Sequence, residues 1–367
     1  MEGFSDCFAE LTDPRTGGGG RYQLLEILMI ALCTVLGGGQ SAVDMALFGE
    51  AKEGFFRTFL ELRHGIPSHD TFSKIFRRLD PDEFRGCFQK FMGRFGESCN
   101  GVIAIDGKAL RRSFDAASAR SGLHMVSAWS CDQRMVLAQI AADGKAREIS
   151  AVPKLLDMLS LPGAIVTADA LNCTRELARQ VVSRGGDYAL AVKGNHGPFC
   201  ADVRRIFDEA QPADAASYTT VDGDHGRFET RTATVSTQIA ALDGYDWPGL
   251  AAVGRIMRTR EAAVRGVRRR TSETSHYVLS SALSADSLAA TVRSHWGIEN
   301  RLHWALDVVM HEDQSRSRMD NSPYNLAILR HMALNVMRKD NSAGSLRAKF
   351  NLAGWSNEFL AKLLAQA

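Results

Sequence analysis

The chain has 367 residues, of which 45% are hydrophobic and 23% are charged, and this composition is ordinary for a globular protein of one or two domains. The formal net charge of +2 at pH 7 excludes a chain that is polycationic overall. Binding of a polyanion would therefore require clustered basic residues. The seven cysteines are scattered and include no Cys-x-x-Cys pair, which argues against a disulfide framework or a zinc ribbon and favours free thiols in a reducing cytoplasm.

Residues 1–96 are predicted to form a small helical domain. Residues 1–20 include four consecutive glycines and are expected to be irregular. The apolar run from Tyr22 to Val35 predicts a buried helix, because it contains Glu26 and is shorter than the ~20 residues that a membrane span requires. We recognise no secretory signal, and we expect a cytoplasmic protein without membrane attachment. Further helices are predicted at 42–49, 53–62, 72–79 and 84–95.

Two of these helices are joined by a turn and share a basic edge, and this leaves two interpretations open. The edge consists of Lys74, Arg77, Arg78 and Arg85. A DNA-reading helix-turn-helix module would use such an edge, whereas a plain helical bundle would only expose it to solvent. We favour the bundle.

From Gly101 onwards the pattern becomes strand-like. Apolar runs bounded by turn residues predict strands and intervening helices in the order strand, strand, strand, helix, strand, helix, strand. The strands are predicted at 102–105, 124–131, 135–142, 164–168 and 188–192, and the helices at 147–159 and 172–183. Three antiparallel strands joined through helices to two parallel strands is the order of the ribonuclease H fold. The predicted fold class is therefore α/β (α+β), with a ribonuclease H-like mixed sheet and flanking helices.

Two of the predicted strands deliver an aspartate where the strand ends. Asp106 follows the first strand, and Asp169 follows the strand at 164–168. If these strands are neighbours in one sheet, the two carboxylates lie side by side and suit Mg²⁺ or Mn²⁺. Two such ions, roughly 3.5–4 Å apart, are the usual apparatus for in-line phosphoryl displacement. The alternative for either aspartate alone is a cap of the following helix or turn.

A β-rich insertion is predicted at about 215–283, where short apolar runs alternate with glycine and aspartate turns. Within it, the segment from Arg255 to Arg270 holds seven arginines and a single glutamate. A long loop or β-hairpin that carries this segment would suit contacts with phosphates. The alternative is a hairpin whose charges are only solvated.

A long helix is predicted from Asp286 to Val309, with Asp286 as its N-cap. His295, Glu299 and His303 are four residues apart and would share one helix face. A transition-metal site through these side chains is the weaker interpretation. We favour Glu299 as the third ligand of the metals held by the two aspartates, with Asp307, Glu312 and Asp313 as its rivals. Helices are also predicted at 325–337 and, weakly, at 346–364.

The chain resembles a known family, the H-repeat-associated (ISAs-type) transposases of bacterial insertion sequences, over nearly its whole length. The resemblance is carried by an ordered series of short motifs, of which single ones would be unspecific. They are Leu-Thr-Asp-Pro-Arg at 11–15, Pro-Ser-His-Asp-Thr-Phe at 67–72, Ala-Ile-Asp-Gly-Lys at 104–108, Glu-Ile-Ser-Ala-Val-Pro at 148–153, Ala-Asp-Ala-Leu-Asn at 168–172, Asp-Tyr-Ala-Leu-Ala-Val-Lys-Gly-Asn at 187–195, His-Trp-Gly-Ile-Glu-Asn at 295–300 and Leu-His-Trp at 302–304.

The resemblance implies a DDE transposase with a catalytic domain at 97–340 and a helical tail at 341–367. Its catalytic and metal-binding residues would be Asp106, Asp169 and Glu299, with two Mg²⁺ or Mn²⁺ ions in each active site. The partners would be double-stranded DNA, both the terminal inverted repeats of the element and its target, and a second copy of the chain on DNA. The residues expected to hold DNA are Lys108, Arg111, Lys193, Arg255, Arg258, Arg268, Arg269, Arg270, His295 and Arg301.

Two other functions remain open on the same residues. The first is a nuclease that cuts DNA but does not join it, and the second is a transposase-derived DNA-binding protein that is catalytically idle. One motif of a larger related group is not matched literally. That group places a Tyr, an Arg and a Lys at fixed offsets from the glutamate, where this chain has Val292, His295 and Leu306.

Overall fold

The computed structural model describes residues 2–15, 20–94, 100–114, 122–142, 144, 147–209, 216–224, 227–264 and 267–366. Within these ranges the protein has a mixed α/β architecture in which helices cover both faces of a sheet. The helices are α1 (Glu2–Phe8), α2 (Leu24–Leu36), α3 (Ala42–Ala51), α4 (Glu53–Phe56), α5 (His69–Arg78), α6 (Pro81–Gly93), α7 (Glu148–Leu156), α8 (Arg175–Ser183), α9 (Gly197–Glu209), α10 (Ala285–His295), α11 (Ser322–Lys339), α12 (Leu346–Trp355) and α13 (Asn357–Ala365).

The described strands belong to one nine-stranded sheet with the order β3-β2-β1-β4-β5-β9-β8-β7-β6. Strand β1 pairs with β4 and β4 with β5 in parallel, and the other neighbours are antiparallel. The strands are β1 (Gly101–Ala109), β2 (His124–Ser130), β3 (Met135–Ala142), β4 (Ala164–Ala168), β5 (Asp187–Val192), β6 (Ala216–Asp224), β7 (Arg227–Ser236), β8 (Ala252–Val264) and β9 (Val267–Leu279). The predicted ribonuclease H-like sheet is confirmed.

Alternation along β1 divides the core into two parts, because successive side chains of a strand point to opposite faces. Ile103 and Ile105 are fully buried against a cluster that includes α7 and α8. Ala104 faces the other way, into a cluster shared by the N-terminal helices and α11. The sheet is therefore a rigid middle layer, and the end of β1 lies between two packed helical layers.

The N-terminal helices are packed tightly onto the rest of the chain. The Asn325 amide of α11 donates hydrogen bonds to the carbonyls of Phe76 and Leu79, at 2.9 and 3.0 Å. Arg77 of the predicted basic edge pairs with Asp320 at 2.8 Å. The division at residue 96 remains a prediction about domain boundaries, but in the structure both sides of it contribute to one hydrophobic core.

The expectation that residues 1–20 are irregular is wrong for their first part. Helix α1 places Phe4 and Phe8 one turn apart, and their rings stack with centroids 4.4 Å apart. Both phenylalanines are buried, and Phe4 also meets Phe91 of α6 edge-on. An i, i+4 pair of aromatic residues gives even a short helix an apolar face to bury.

The predicted helix from Asp286 to Val309 is interrupted. Helix α10 begins after Ser284, whose backbone is extended, so Ser284 and not Asp286 is at the N-cap position. Beyond Gly297 the chain continues as two π-helical segments, Ile298–His303 and Ala305–Val309. The predicted single helix is thus an α-helix that is followed by wider π-helical turns.

The insertion strands are longer than predicted. Strands β8 and β9 each span 13 residues and form the hairpin that carries the arginine-rich segment. This hairpin joins the ribonuclease H-like part of the sheet directly through the pairing of β5 with β9. No described helix combines the length and the apolar character that a membrane crossing needs.

Candidate active site

The two aspartates lie at matching positions on neighbouring parallel strands. The register of β1 and β4 pairs Ile105 with Ala168, so Asp106 and Asp169 are the next residue on each strand. Buried β-branched and small residues hold both strands in place. Asp169 directly follows β4, as predicted, and the prediction that the two strands are neighbours holds. The prediction that Asp106 ends its strand is wrong, because β1 continues to Ala109 through its pairing with β2.

Asp106 is the centre of a cluster of carboxylates. Its pKa is raised to about 7, first because it is largely buried and then because of the charges of Asp169, Glu148 and Glu299. The backbone N–H of Gly107 donates to Oδ1 at 2.9 Å and opposes the rise. Three carboxylates thus oppose ionisation of Asp106 at this edge of the sheet, and a cation would relieve that repulsion.

Asp169 is held by the residue three positions further along the chain. The backbone N–H and the side-chain amide of Asn172 both donate to Oδ1 of Asp169, each at 3.1 Å. Within the described part of the chain, Oδ2 of Asp169 accepts no hydrogen bond. One oxygen is therefore fixed by the protein, and the other is available to a ligand.

The rivals of Glu299 are engaged elsewhere. Nζ of Lys108 lies 2.8 Å from Asp307, 2.9 Å from Glu312 and 3.4 Å from Asp313. Glu312 is buried and also lies 3.8 Å from Arg330. Glu299 is exposed, lines a groove, and is close enough to Asp106 for its charge to raise the pKa of that carboxyl group. The geometry therefore favours Glu299 as the third acidic residue.

Lys108 does not occupy the position expected for a phosphate ligand. Its side chain is only 10% exposed, and its ammonium group is surrounded by the three carboxylates described above. Arg111, in contrast, is 80% exposed and lies 3.3 Å from Asp313. The expectation that Lys108 contacts DNA thus needs correction, because the protein itself neutralises this charge.

His295, the last residue of α10, and His303 of the first π-helical segment are both largely shielded from solvent. Burial lowers the pKa of His295 to about 4, and its Nδ1 lies 2.9 Å from the hydroxyl of Thr167. Burial also lowers the pKa of His303 to about 4, and its Nδ1 lies 3.7 Å from Oδ2 of Asp106. A cationic contact of His295 with a phosphate, as expected from the sequence, does not fit this position.

The acidic residues fit a divalent metal that is completed by other ligands. Among the described residues, no three acidic, histidine or cysteine side chains converge closely enough to hold an ion by themselves. Mg²⁺ in phosphoryl-transfer sites commonly binds through one or two carboxylates and takes its remaining ligands from water and substrate phosphates. Asp106 and Asp169, with Glu299 nearby, have the chemistry of such an incomplete ligand set.

A groove of about 900 Å³ runs beside Glu299. One wall is α10 and the first π-helical segment, and the other is one face of strands β6 to β9. Trp296 lines the groove and is 47% exposed. Five arginines also line it, which are Arg231, Arg258, Arg260, Arg293 and Arg301. The groove thus combines positive charge with an aromatic surface next to the carboxylates.

The arginine-rich hairpin divides its charges between two faces, since side chains alternate along a strand. Arg258 and Arg260 face the groove, whereas the guanidinium of Arg255 lies over the ring of Phe207 on the opposite face, 5.0 Å from its centroid. Arg258 pairs with Glu273, and Arg260 pairs with Glu229. Glutamates on neighbouring strands therefore neutralise part of the positive charge that the arginine-rich segment suggested in the sequence.

The remaining expected DNA contacts are exposed or outside the described residues. Arg269 and Arg270 are exposed near the end of the hairpin, and the side chain of Arg268 lies outside the described part of the structure. Lys193 is exposed after β5. Its loop is fixed by the Asn195 amide, which donates to the carbonyl of Ala170 at 2.8 Å, beside Asp169.

Sequence reasoning missed two residues beside the aspartates. The charge of Glu148 acts on Asp106, and Asn172 donates hydrogen bonds to Asp169. Glu148 belongs to a motif that marked the resemblance, but only the folded chain brings it to the strand ends. Two positions of the unmatched motif, Val292 and Leu306, are buried in the hydrophobic core.

The ribonuclease H-like sheet, with Asp106 and Asp169 on neighbouring segments, is consistent with a protein of the DDE class. The chain belongs to the family described as "Transposase DDE domain", whose sequence model matches residues 97–336. Residues 5–92 match a second family, described as DDE_Tnp_1-associated. The resemblance to H-repeat-associated transposases is thereby confirmed.

Similar proteins carry related names. "H repeat-associated putative transposase YhhI" of Escherichia coli (strain K12) is 34% identical over 94% of this chain and 93% of its own length. "Putative transposase YncI" of Escherichia coli O157:H7 is 32% identical over 96% of this chain and 92% of its own. A solved piggyBac transposase synaptic complex with hairpin DNA matches 99% of this chain and 78% of its own chain at 12% identity, with a TM-score of 0.44.

Proposed function

We propose that this protein cuts DNA at the ends of an insertion sequence and joins the freed ends to target DNA. The observation that carries the proposal is the carboxylate cluster where the parallel ladder of β1 and β4 ends. Asp106 and Asp169 each come one residue after the last pair of that ladder, and the charge of Glu299 acts on Asp106. Such a cluster at a rigid sheet edge is suited to divalent cations and phosphodiesters.

Asp106, Asp169 and Glu299 would hold two Mg²⁺ or Mn²⁺ ions. When bound, the ions would polarise the phosphodiester and stabilise charge on the attacking and leaving oxygens. The protein's own contribution is to hold the carboxylates in fixed positions. The strands fix the two aspartates, and the π-helical segment carries Glu299 beside them. A group held on packed elements needs little reorganisation when the substrate binds.

DNA would enter along the groove beside Glu299. Its arginines would contact phosphates, and the exposed residues Lys193, Arg269 and Arg270 would extend this basic path. Since transposition joins two element ends, we expect two copies of the chain to act together on DNA, in the bacterial cytoplasm. Light scattering of the DNA complex should give a mass of two chains, and a monomer that holds two ends would contradict this expectation.

The test uses a labelled duplex from the flanks of the gene and a target plasmid. We expect cleavage at the element end and joining to the plasmid in Mg²⁺, and loss of both products in the Asp106→Asn variant. DNA binding should remain within about threefold of wild type, because the groove is unchanged. A fully active Asp106→Asn protein would refute the assigned site.

The other outcomes separate the alternatives. Cleavage without a joined product would identify a nuclease on the same core. Binding without cleavage in either Mg²⁺ or Mn²⁺ would identify a catalytically idle DNA-binding protein. Ca²⁺ serves as a further control, since a hard cation of different size tests binding separately from catalysis.

A further inference from the structure

Glu148 is a buried carboxylate beside the active site. It is the first residue of α7, and only 3% of its surface is exposed. Its Oε2 lies 2.8 Å from Nε2 of His124, and its Oε1 accepts a hydrogen bond of 2.6 Å from the amide of Asn172. Burying a carboxylate is costly unless such partners hold it, so this arrangement needs an explanation.

The amide of Asn172 joins Glu148 to a catalytic aspartate. The same Nδ2 atom donates to Oε1 of Glu148 and, at 3.1 Å, to Oδ1 of Asp169. An amide NH₂ group has two hydrogens, so it can serve both carboxylates at once. Rotation of the amide by 180° would place its oxygen against two carboxylates, and Glu148 therefore fixes which way the amide points.

The backbone next to Asp106 is shaped to accommodate Glu148 and His124. A Cβ atom at Gly107 would lie 2.3 Å from Nε2 of His124 and 2.6 Å from Oε2 of Glu148. Both distances are shorter than a real contact allows, so the glycine makes room for the pair. Nδ1 of His124 has no hydrogen-bond partner among the described residues. Nε2 is therefore the ring nitrogen through which His124 meets Glu148.

We propose that Glu148 is a positioning residue, which acts through the Asn172 amide to hold Asp169 in the orientation that binds the metal. This inference rests on the proposed function, and it adds His124, Glu148 and Asn172 to the residues on which catalysis depends. Partners that orient a metal ligand commonly change metal affinity or activity 10–100-fold when they are replaced. The orientation of Asp169 should therefore be visible in metal binding.

The experiment measures Mn²⁺ binding by electron paramagnetic resonance and the Mn²⁺ concentration that gives half-maximal cleavage. We expect Glu148→Gln to weaken both about tenfold while the KM for DNA stays within twofold. Asn172→Ala should have the same effect. Both side chains act through the same hydrogen bonds to Asp169. The double variant should therefore bind Mn²⁺ no more weakly than the single variant with the lower Mn²⁺ affinity. Glu176→Gln on α8 is the matched control, since Glu176 is 57% exposed and pairs only at the surface with Arg179.

Several results would overturn the inference. Wild-type Mn²⁺ binding in both single variants would show that Glu148 does not position Asp169, and so would losses that multiply in the double variant. If Glu148→Gln fails to fold, Asn172→Ala decides alone, and if neither folds, the contacts are structural only. Failure of the wild-type protein to bind Mn²⁺ or cut DNA would instead refute the proposed function.

Discussion

At the scale of single residues, the acidic cluster stores unfavourable electrostatic energy in the absence of a cation. Asp106 has a pKa of about 7 because it is buried and close to other carboxylates. Between pH 4 and 7 the folded protein keeps a proton at Asp106 that the unfolded chain has lost. The free energy of unfolding therefore decreases as the pH rises through this window.

Replacement of Asp106 by Asn should stabilise the metal-free protein at high pH. We expect a difference on the order of 2 kcal/mol at pH 8 and almost none at pH 4, since only the charged form is disfavoured. Thermal unfolding of both proteins in EDTA across this pH range measures the difference, because other titrating groups cancel. Asp243→Asn, at an exposed position, should show no such trend. Equal stability of wild type and Asp106→Asn at pH 8 would mean that the cluster is not strained.

The residue scale also shows what the sequence could and could not predict about the site. Asp106 and Asp169 were predictable because each follows a short apolar run, and parallel strands bring their ends to one edge. Glu148 was not predictable, since its contacts with His124 and Asn172 join residues 24 positions apart on either side. Nothing local in the sequence distinguishes it from a solvent-exposed glutamate at the start of a helix.

At the scale of elements, Lys108 connects β1 to the segment that follows the π-helical region. Its ammonium group holds Asp307, Glu312 and Asp313 together, and Glu312 is buried. Because Asp106 is two residues away on the same strand, this contact also sets where the helix carrying Glu299 lies relative to β1. Removal of the charge would leave three carboxylates partly uncompensated in a buried place.

We expect Lys108→Met to destabilise the protein by about 3 kcal/mol, the usual cost when one partner of a buried ion pair is removed. Urea unfolding at pH 7.5 measures this change. Lys154→Met on α7 is the control, since Lys154 is exposed. The addition of Glu312→Gln should restore part of the lost stability by removing a buried charge. If Lys108→Met is as stable as wild type but binds DNA more weakly, the original expectation of a phosphate contact would be right.

The π-helical segments explain why the prediction of one continuous helix was wrong. Periodicity arguments assume 3.6 residues per turn, and the wider turns after Gly297 break that assumption. His295 ends α10 beside Thr167, whereas His303 and Glu299 on the first π-helical segment both act on Asp106. The change of helix type therefore keeps all three side chains near the two aspartates, although the single α-helix of the prediction is not formed.

At the scale of the whole molecule, the groove depends on strands that are distant in the sequence. The hairpin of β8 and β9 was predictable from its composition. Which of its arginines face the groove and which face the opposite side of the sheet could be read only from the strand pairing in the structure. Acidic residues from other strands, such as Glu229 and Glu273, then offset part of the positive charge. Summed charge over a sequence window cannot anticipate either effect.

Substitution of groove arginines should weaken DNA binding in a salt-dependent way. We expect Arg258→Ala to reduce the slope of log affinity against log salt by about 1, the loss of roughly one phosphate contact. Arg255→Ala is the matched control on the same strand, because Arg255 faces Phe207 on the opposite side of the sheet. Titrations of a labelled duplex at several salt concentrations give both slopes. A larger effect at Arg255 than at Arg258 would place the DNA on the other face.

The continuity of the nine-stranded sheet has a consequence for how a duplex could be accommodated. The hydrogen-bonded ladder runs without a break from β4 through β5 and β9 to the outer strands, so no hinge separates the carboxylates from the arginine groove. The protein would then be rigid between these two sites, and the DNA would have to bend to reach both. The stiffness of DNA varies with its base steps. We expect sites of insertion to follow the flexibility of the target more than its base identity. Mapped insertion sites that share a fixed sequence but no flexible step would show that the protein adapts instead.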